Sequence, residues 1–183
     1  MKIGISTLSM LLEPFENTIA KIALIDCNCW EIIAEGNHKL NGQNIKKLLQ
    51  IKESHKIELN VHAPYADLNL ASLNKGILSE TIKQMKDCIT AAAELEAKIV
   101  TVHPGYLSSY SMFVPKEAWK VNIESLSACA DFANQRGIIL SIENMPNYFG
   151  ILGKNAEELL EIFATIKNLK LTAFFLFSDR IFL

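Results

Sequence analysis

Short apolar, β-branched runs alternate with longer amphipathic stretches along the whole chain, and this alternation constrains the fold more than any other feature. Six runs have the length and composition of β-strands: 2–6, Cys29–Ile33, 57–62, 98–103, 138–143 and a run from residue 169 onward. Between them, apolar residues recur at three- and four-residue intervals, which is typical of helices with one buried face. Strand and helix repeated with short links predict parallel strands covered by helices.

Two of the helices have recognisable ends. One is predicted over 118–134, with Gly137 placed where a helix should stop, and another over 156–166. Asn155 is the predicted N-cap of the later helix, because an asparagine side chain accepts from the first free amide groups. An acidic pair follows in the first turn, where the helix dipole favours negative charge.

Parallel strands of this kind form either an open doubly wound sheet or a closed barrel. No G-x-G-x-x-G motif follows the first strand, and no G-x-x-x-x-G-K-[ST] motif occurs. Polar residues instead follow several different strands, as they do at the C-terminal face of a TIM barrel, where several βα loops build one site. The sequence therefore predicts an α/β protein of the (β/α)8 TIM-barrel type, incomplete, with about six βα units.

Length and composition set further limits. With 183 residues, half of them apolar, the chain can build one sizeable core, and we expect a single domain over residues 1–183. No apolar run reaches the roughly 18 residues that a membrane-spanning helix requires. The first ten residues lack the apolar region of a secretory signal. Neither a membrane span nor an export signal is expected.

The four cysteines fit no metal or redox motif. Cys27 and Cys29 are separated by one residue, which is the wrong spacing for a C-x-x-C pair, and Cys88 and Cys129 complete no zinc ribbon. Reduced, partly buried thiols in a cytoplasmic protein are the simpler interpretation.

Three strands end in side chains that can bind metal. The predicted strands end in Leu-Asn-Val-His62-Ala-Pro-Tyr, Val-Thr-Val-His103-Pro-Gly-Tyr and Leu-Ser-Ile-Glu143-Asn-Met-Pro. Each proline sets a rigid turn close after the metal-competent side chain. A lone strand-end histidine is more often structural, but three such ends around one barrel mouth favour a site for zinc, manganese or iron. His38 and His55 match no such pattern and are expected at the surface.

These strand-end motifs resemble those of the TIM-barrel superfamily of xylose isomerase and endonuclease IV, which also contains sugar-phosphate isomerases and epimerases. The resemblance runs from residue 1 to about residue 170. In the endonuclease branch, residues matching His62 and His103 bind one zinc ion and the match to Glu143 bridges two. In the sugar branch, the match to Glu143 is a metal ligand and an acid/base residue. The resemblance implies a catalytic Glu143 and a divalent metal, zinc or manganese, held by His62, His103 and Glu143.

Four further residues are candidates for substrate binding: Glu35, Tyr65, Tyr106 and Asn144. Either Glu31 or Glu35 should face the barrel mouth, and Glu35 lies nearer the strand end; a solvated loop carboxylate is the alternative. Tyr65 and Tyr106 would stack over a ligand or simply cap the barrel. Asn144 directly follows Glu143 in the motif that carries the resemblance.

The resemblance breaks at the sixth strand, where the superfamily carries an Asp-x-x-His motif that completes the metal site. Aligning residues 168–172 with that strand puts Phe174 and Phe177 at those two positions, and Asp179 is out of register. A complete barrel usually takes roughly 250 residues. We favour a truncated or frame-shifted tail over a natural short form that closes by pairing with another chain. The missing ligands argue against activity of this chain alone.

Three functions remain open. The main hypothesis is a divalent-metal-dependent isomerase or epimerase of a sugar or sugar phosphate, in which a carboxylate moves a proton beside a metal-polarised carbonyl. The alternative is an apurinic endonuclease, a zinc-dependent phosphodiester hydrolase. A net charge of −2, a pI near 6.1 and the lack of a Lys/Arg cluster near the strand-end loops argue against nucleic acid as the partner. The third is an inactive, degenerate barrel.

Self-association is also predicted. Six strands cannot close a barrel built for eight, so the first and the sixth strand should present open edges to other chains. Residues 171–177 add an uncharged, proline-free segment of high β-propensity, the composition of an aggregation-prone sequence.

Overall fold

The chain alternates strand and helix as the sequence predicts. The computed structural model describes residues 4–166 and, as backbone, residues 172–174. Within these ranges the strands are β1 (Ile5–Ser6), β2 (Cys29–Ile33), β3 (Glu58–His62), β4 (Ile99–Val102), β5 (Ile139–Glu143) and β6 (Thr172–Phe174). The helices are α1 (Phe15–Leu24), α2 (Gly42–His55), α3 (Lys75–Glu94), α4 (Pro115–Asn134) and α5 (Ala156–Thr165). None of these described helices is long and apolar enough to span a membrane.

The six strands form one parallel sheet, and each strand pairs with its neighbour in sequence, from β1 through to β6. Helices connect successive parallel strands, which is the arrangement of a TIM barrel. The predicted fold class is therefore confirmed: the described residues form five consecutive βα units of such a barrel and the strand of a sixth.

Each central strand turns one row of side chains towards the helices and the other row towards the barrel interior. The helix-facing row is apolar and almost fully buried: Trp30, Ile32, Leu59, Val61, Val100, Val102, Leu140 and Ile142. Each such side chain stabilises the fold by about 1.5–3 kcal/mol relative to an exposed one. Between them, polar residues of the opposite row pair across the sheet, Glu31 with Asn60 and Thr101 with Ser141. The core thus lies outside the sheet, and the interior face is polar.

The pairing register of the strands determines which residues lie side by side at their C-terminal ends. His62 pairs with Thr101, and Thr101 pairs with Ser141. Because alternate residues of a strand share a face, His103 and Glu143 project from the same face as Thr101 and Ser141, one step nearer the C-terminal end. The three predicted metal ligands are therefore presented at the C-terminal end of three adjacent strands.

Most predicted boundaries lie close to the observed ones. β2 has the predicted limits, and β3, β4 and β5 each begin one residue later than expected. The helix predicted to start at residue 118 begins at Pro115, since proline is well suited to the first helical position. The Asn155 cap is confirmed by the 2.8 Å bond that its Oδ1 accepts from the amide of Glu158. Residues 1–3 and the predicted strand start at residue 169 lie outside the described residues.

The prediction that His38 lies at the surface is wrong. Its side chain is fully buried, 3.1 Å from the Thr18 hydroxyl through Nε2 and edge-on to the ring of Phe15. A short 3-10 turn over Gly36–His38 folds the imidazole back onto α1, a tertiary contact that leaves no periodic signal in the sequence. Burial lowers the pKa of the imidazole. His55 is exposed, as expected.

The burial of two cysteines leads to a prediction about thiol reactivity. Burial raises the pKa of both Cys88 and Cys129 to about 12, so little reactive thiolate forms at either site, whereas Cys27 and Cys29 are partly exposed. We expect iodoacetamide at pH 8 to leave Cys88 and Cys129 unmodified in the native protein and to label all four thiols in urea. Peptide mass spectrometry measures the labelling, and rapid native labelling of Cys129 would contradict the buried position.

Candidate metal centre

The structure brings His62, His103 and Glu143 together at the barrel mouth. His62 Nε2 lies 3.0 Å from Glu143 Oε2 and 3.2 Å from His103 Nε2, and His103 Nε2 lies 3.3 Å from the same Glu143 oxygen. His62 and Glu143 are buried, and His103 is partly open to solvent. Three donor atoms thus form a compact triangle with one side accessible.

The size of this triangle fits a metal ion. Zinc bonds of about 2.0–2.1 Å in tetrahedral geometry place neighbouring donor atoms about 3.3 Å apart. The three measured separations are 3.0, 3.2 and 3.3 Å, close to the three edges of one tetrahedral face. Two imidazoles and one carboxylate are also the donor types that zinc and manganese sites use. The residues present therefore fit a divalent metal with its fourth position open.

The backbone orients one of the ligands. His62 Nδ1 donates to the carbonyl oxygen of Ala63 at 2.7 Å. As a metal ligand the imidazole would be neutral, and this bond would leave the lone pair on Nε2, the atom that faces Glu143 and His103. Where Nε2 instead donates to Glu143, the imidazole is protonated. Such outer hydrogen bonds fix the ring and the tautomer of metal-binding histidines.

The charges of the three groups are coupled. Burial by itself would raise the pKa of Glu143, but the hydrogen bonds from His103 and His62 outweigh burial and lower the pKa to about 2. Burial by itself would lower the pKa of His62, but the bond to Glu143 and the charge of Glu31 raise it. The carboxylate is therefore ionised at neutral pH and available as a ligand.

One buried side-chain oxygen at the end of β5 lacks a partner among the described residues. Asn144 follows Glu143 directly, and its Oδ1 atom is buried with no hydrogen bond from the described part of the chain. A buried acceptor without a donor costs free energy, on the order of 1–3 kcal/mol, unless a ligand or water satisfies it. Substrate binding by Asn144 stays a prediction.

The two predicted tyrosines occupy different positions. The ring of Tyr65 lies 5.0 Å from that of His103 and 5.5 Å from that of His62, so it covers the donor cluster. Tyr106 is more exposed and lines a cavity beside His103. Its backbone N–H donates to Asn69 Oδ1. Tyr65 is the better placed of the two to contact a ligand on the metal.

The two acidic residues of β2 and the loop after it have different hydrogen-bond partners. Glu31 lies on the interior face, where Oε1 accepts from the Thr101 hydroxyl at 3.1 Å, and its charge acts on His62. Glu35 instead accepts two backbone bonds through Oε2, from the N–H of Tyr65 at 2.9 Å and of Ala66 at 3.0 Å. Its carboxylate holds the loop that carries Tyr65. Substrate contact by Glu35 stays a prediction.

The bonds to Glu35 lead to a prediction about loop mobility. Hydrogen bonds to a charged group contribute about 1.5–3 kcal/mol, and each 1.4 kcal/mol is a factor of ten in an equilibrium. We expect Glu35→Ala to accelerate amide hydrogen exchange at Tyr65 and Ala66 by about ten- to a hundredfold, measured by NMR. The control Glu94→Ala removes an exposed carboxylate near the end of α3. Unchanged exchange at Ala66 in Glu35→Ala would contradict a holding role.

Two buried asparagines that the sequence analysis missed support the turn after His103. Asn122 Oδ1, on the buried face of α4, accepts from the Gly105 amide at 2.8 Å. Asn69 Oδ1 accepts from the Tyr106 amide at 3.0 Å, and its Nδ2 donates to the Tyr106 carbonyl at 2.9 Å. The available signal for Asn122 was a polar residue at an apolar position of a helical pattern, whereas Asn69 lies in the loop after β3 and left no such signal.

Comparison with known proteins identifies the family. A family model described as xylose isomerase-like TIM barrel matches residues 19–173. The chain belongs to this family. The superfamily that the strand-end motifs indicate is thereby confirmed.

Three similar proteins illustrate the range of this family. An uncharacterized protein of Methanocaldococcus jannaschii is 40% identical over 174 residues, which cover 94% of this chain and 59% of that protein. The crystal structure of a D-tagatose 3-epimerase-like protein has a TM-score of 0.88 and 37% identity, with 96% of this chain and 64% of that chain covered. A protein named probable endonuclease 4 of Aquifex aeolicus is 31% identical over 111 residues, covering 61% of this chain and 38% of its own length. The chain thus spans less than two thirds of each.

Phe174 stands opposite Glu143 in the register of β5 and β6. That Phe174 takes the place of the superfamily's acidic ligand stays a prediction. Phe177 and Asp179 lie outside the described residues. Among the described residues, the metal-competent cluster therefore consists of His62, His103 and Glu143.

Proposed function

We propose that this chain carries part of the active site of a divalent-metal-dependent sugar or sugar-phosphate isomerase or epimerase. The observation that carries the proposal is the buried, ionised Glu143 held between His62 and His103. Similarity to a D-tagatose 3-epimerase-like protein supports a sugar as the substrate.

The residues take distinct parts in this reaction. A divalent metal, zinc or manganese, would be held by His62, His103 and Glu143 and would polarise the carbonyl and hydroxyl oxygens of a sugar. Glu143 is also placed to move a proton at the neighbouring carbon. The Tyr65 ring covers the cluster and would exclude water from one side, while Asn144 would hydrogen-bond a sugar hydroxyl.

Deuterium exchange tests the proposed reaction. The metal-loaded chain is incubated with free ketoses in D2O, and NMR follows deuterium incorporation at the carbon next to the carbonyl. Incorporation that depends on added manganese or zinc and disappears in Glu143→Gln is the expected result. Exchange that persists in Glu143→Gln would assign the proton transfer to another group.

Apurinic endonuclease activity is the second candidate, supported by the similarity to probable endonuclease 4. The loops that surround the cluster, residues 63–74, 104–114 and 144–153, contain no lysine or arginine and a single charged residue, Asp67. Duplex DNA binding depends on cations that neutralise phosphates, so these loops favour the sugar reaction. Cleavage of an abasic-site oligonucleotide by the metal-loaded chain would reverse this preference.

Self-association through the sheet edges remains a proposal for the chain as written. Within the described residues, β1 and β6 each pair with only one other strand. Exposed strand edges recruit other chains. We expect size-exclusion chromatography with light scattering to show species larger than the 20.5 kDa monomer. A stable monomer would mean that both edges are covered.

A further inference from the structure

A cavity of about 120 Å³ opens directly beside the metal-competent cluster. His103 lines it, so the same imidazole faces both the cluster and the cavity. Tyr65 forms part of the wall on the cluster side. A ligand bound at the three donors would therefore reach this cavity with its next few atoms.

The wall of the cavity is mainly apolar. Its aliphatic part comes from the loop after β3, from α3 and from the loop after β5, and the side chains are Leu68, Leu70, Met85, Met145 and Ile151. The Thr81 hydroxyl also reaches the wall but already accepts the backbone N–H of Asn69 at 3.1 Å. No described lysine, arginine, aspartate or glutamate lines the cavity.

The chemistry of this wall limits what it can accept. A phosphate or a carboxylate placed here would lose its hydration without gaining a cationic partner, which is strongly unfavourable. An apolar cavity of about 150 Å³ holds one benzene molecule, so this space suits a group of about four or five non-hydrogen atoms. A short, apolar chain end satisfies both limits.

We propose that this cavity is a specificity pocket for the far end of the substrate and that it selects an unphosphorylated sugar ending in a methyl group. The assignment rests on the proposed isomerase or epimerase function, because it takes the reacting end of the sugar to lie at His62, His103 and Glu143. Leu68 is the residue best suited to test it, since it lines the cavity and is only partly buried.

Three ketohexoses that differ only at carbon 6 form the test: the parent alcohol, the 6-deoxy compound and the 6-phosphate. The metal-loaded full chain should exchange solvent deuterium into the 6-deoxy sugar with a kcat/KM about tenfold or more above that of the parent, because one apolar group in such a pocket is worth at least that factor. The 6-phosphate should not react.

Leu68→Phe, which fills the cavity, should lower kcat/KM for the 6-deoxy sugar about tenfold without changing zinc affinity. Leu160→Phe, on the exposed face of α5, is the matched control.

The outcomes separate the pocket from the reaction. Equal turnover of all three sugars, or turnover of the 6-phosphate, would show that the cavity is not a specificity pocket for an apolar chain end. The proposed function would still stand. If none of the three sugars were turned over, both the specificity pocket and the proposed function would be contradicted. A second measurement needs no activity: xenon binds dry apolar cavities, so the 129Xe NMR signal of the metal-free chain should report one binding site that Leu68→Phe removes. A site that takes up no xenon would overturn the apolar assignment.

Discussion

Replacing His103 by alanine should weaken zinc binding by about a hundredfold or more. His103 supplies one of three donor atoms that lie 3.0–3.3 Å apart, and its loss leaves His62 and Glu143 as the described ligands. Mutation of residues that merely support a metal ligand commonly costs ten- to a hundredfold in affinity, so loss of a ligand should cost at least as much. Isothermal titration calorimetry of the metal-free chain with zinc measures the change. We expect the starting affinity to be modest, since the described part of the chain supplies three ligands.

The matched control is His55→Ala. His55 lies at the exposed end of α2, where its Nδ1 contacts the hydroxyl of Ser54. Its replacement should leave zinc affinity unchanged. Tight zinc binding that survives in His103→Ala would show that the cluster at the barrel mouth is not the binding site.

Gly105→Ala should destabilise the chain by about 3 kcal/mol, through overpacking in a well-filled interior. A Cβ atom at residue 105 would lie 2.3 Å from the backbone nitrogen of Ala71 and 2.7 Å from Asn69 Oδ1. Neither atom can move easily, because Asn69 Oδ1 accepts bonds from the Ala71 and Tyr106 amides. For a chain of this size the loss corresponds to a fall in melting temperature of about 10 °C. Circular dichroism during heating measures it.

Gly42→Ala is the control for this substitution. Gly42 is the first residue of α2, and a Cβ atom there would meet nothing within 4 Å. Alanine in a helix is about 0.5–1 kcal/mol more favourable than glycine, so this variant should melt at the same temperature or slightly higher. If Gly105→Ala were as stable as Gly42→Ala, the loop after β4 would not pack as closely against the loop after β3 as these distances indicate.

The sequence was sufficient for the repeating units of the fold because their signals are local. Cys29–Ile33 alternates apolar and polar faces strongly enough to define β2 without error, and Asn155 marks the start of α5 by its capping chemistry. The cluster of possible metal ligands could also be predicted from the sequence, because the C-terminal ends of adjacent parallel strands lie at the same edge of the sheet. His62, His103 and Glu143 could therefore be grouped from their positions at strand ends alone.

The supporting contacts could not be predicted in the same way, because they depend on loops whose paths are set by tertiary packing. Nothing local shows that Glu35 reaches the backbone of Tyr65, thirty residues away. The same holds for His38, whose burial depends on where a short turn places it against α1. Asn122 differs, because its place on the apolar face of a helix marks it as a buried polar group in need of a partner.

The pairing of each strand with the one before it has a consequence for biosynthesis. A chain emerging from the ribosome can add each new strand to an edge that already exists, without waiting for a distant segment. The three donor atoms belong to His62 at the end of β3, His103 directly after β4 and Glu143 at the end of β5. The cluster can therefore assemble once β5 has emerged, before β6 is made. Metal bound at that stage would stabilise the nascent sheet by mass action, and zinc in the translation mixture should protect ribosome-bound chains from proteolysis as soon as Glu143 has left the exit tunnel.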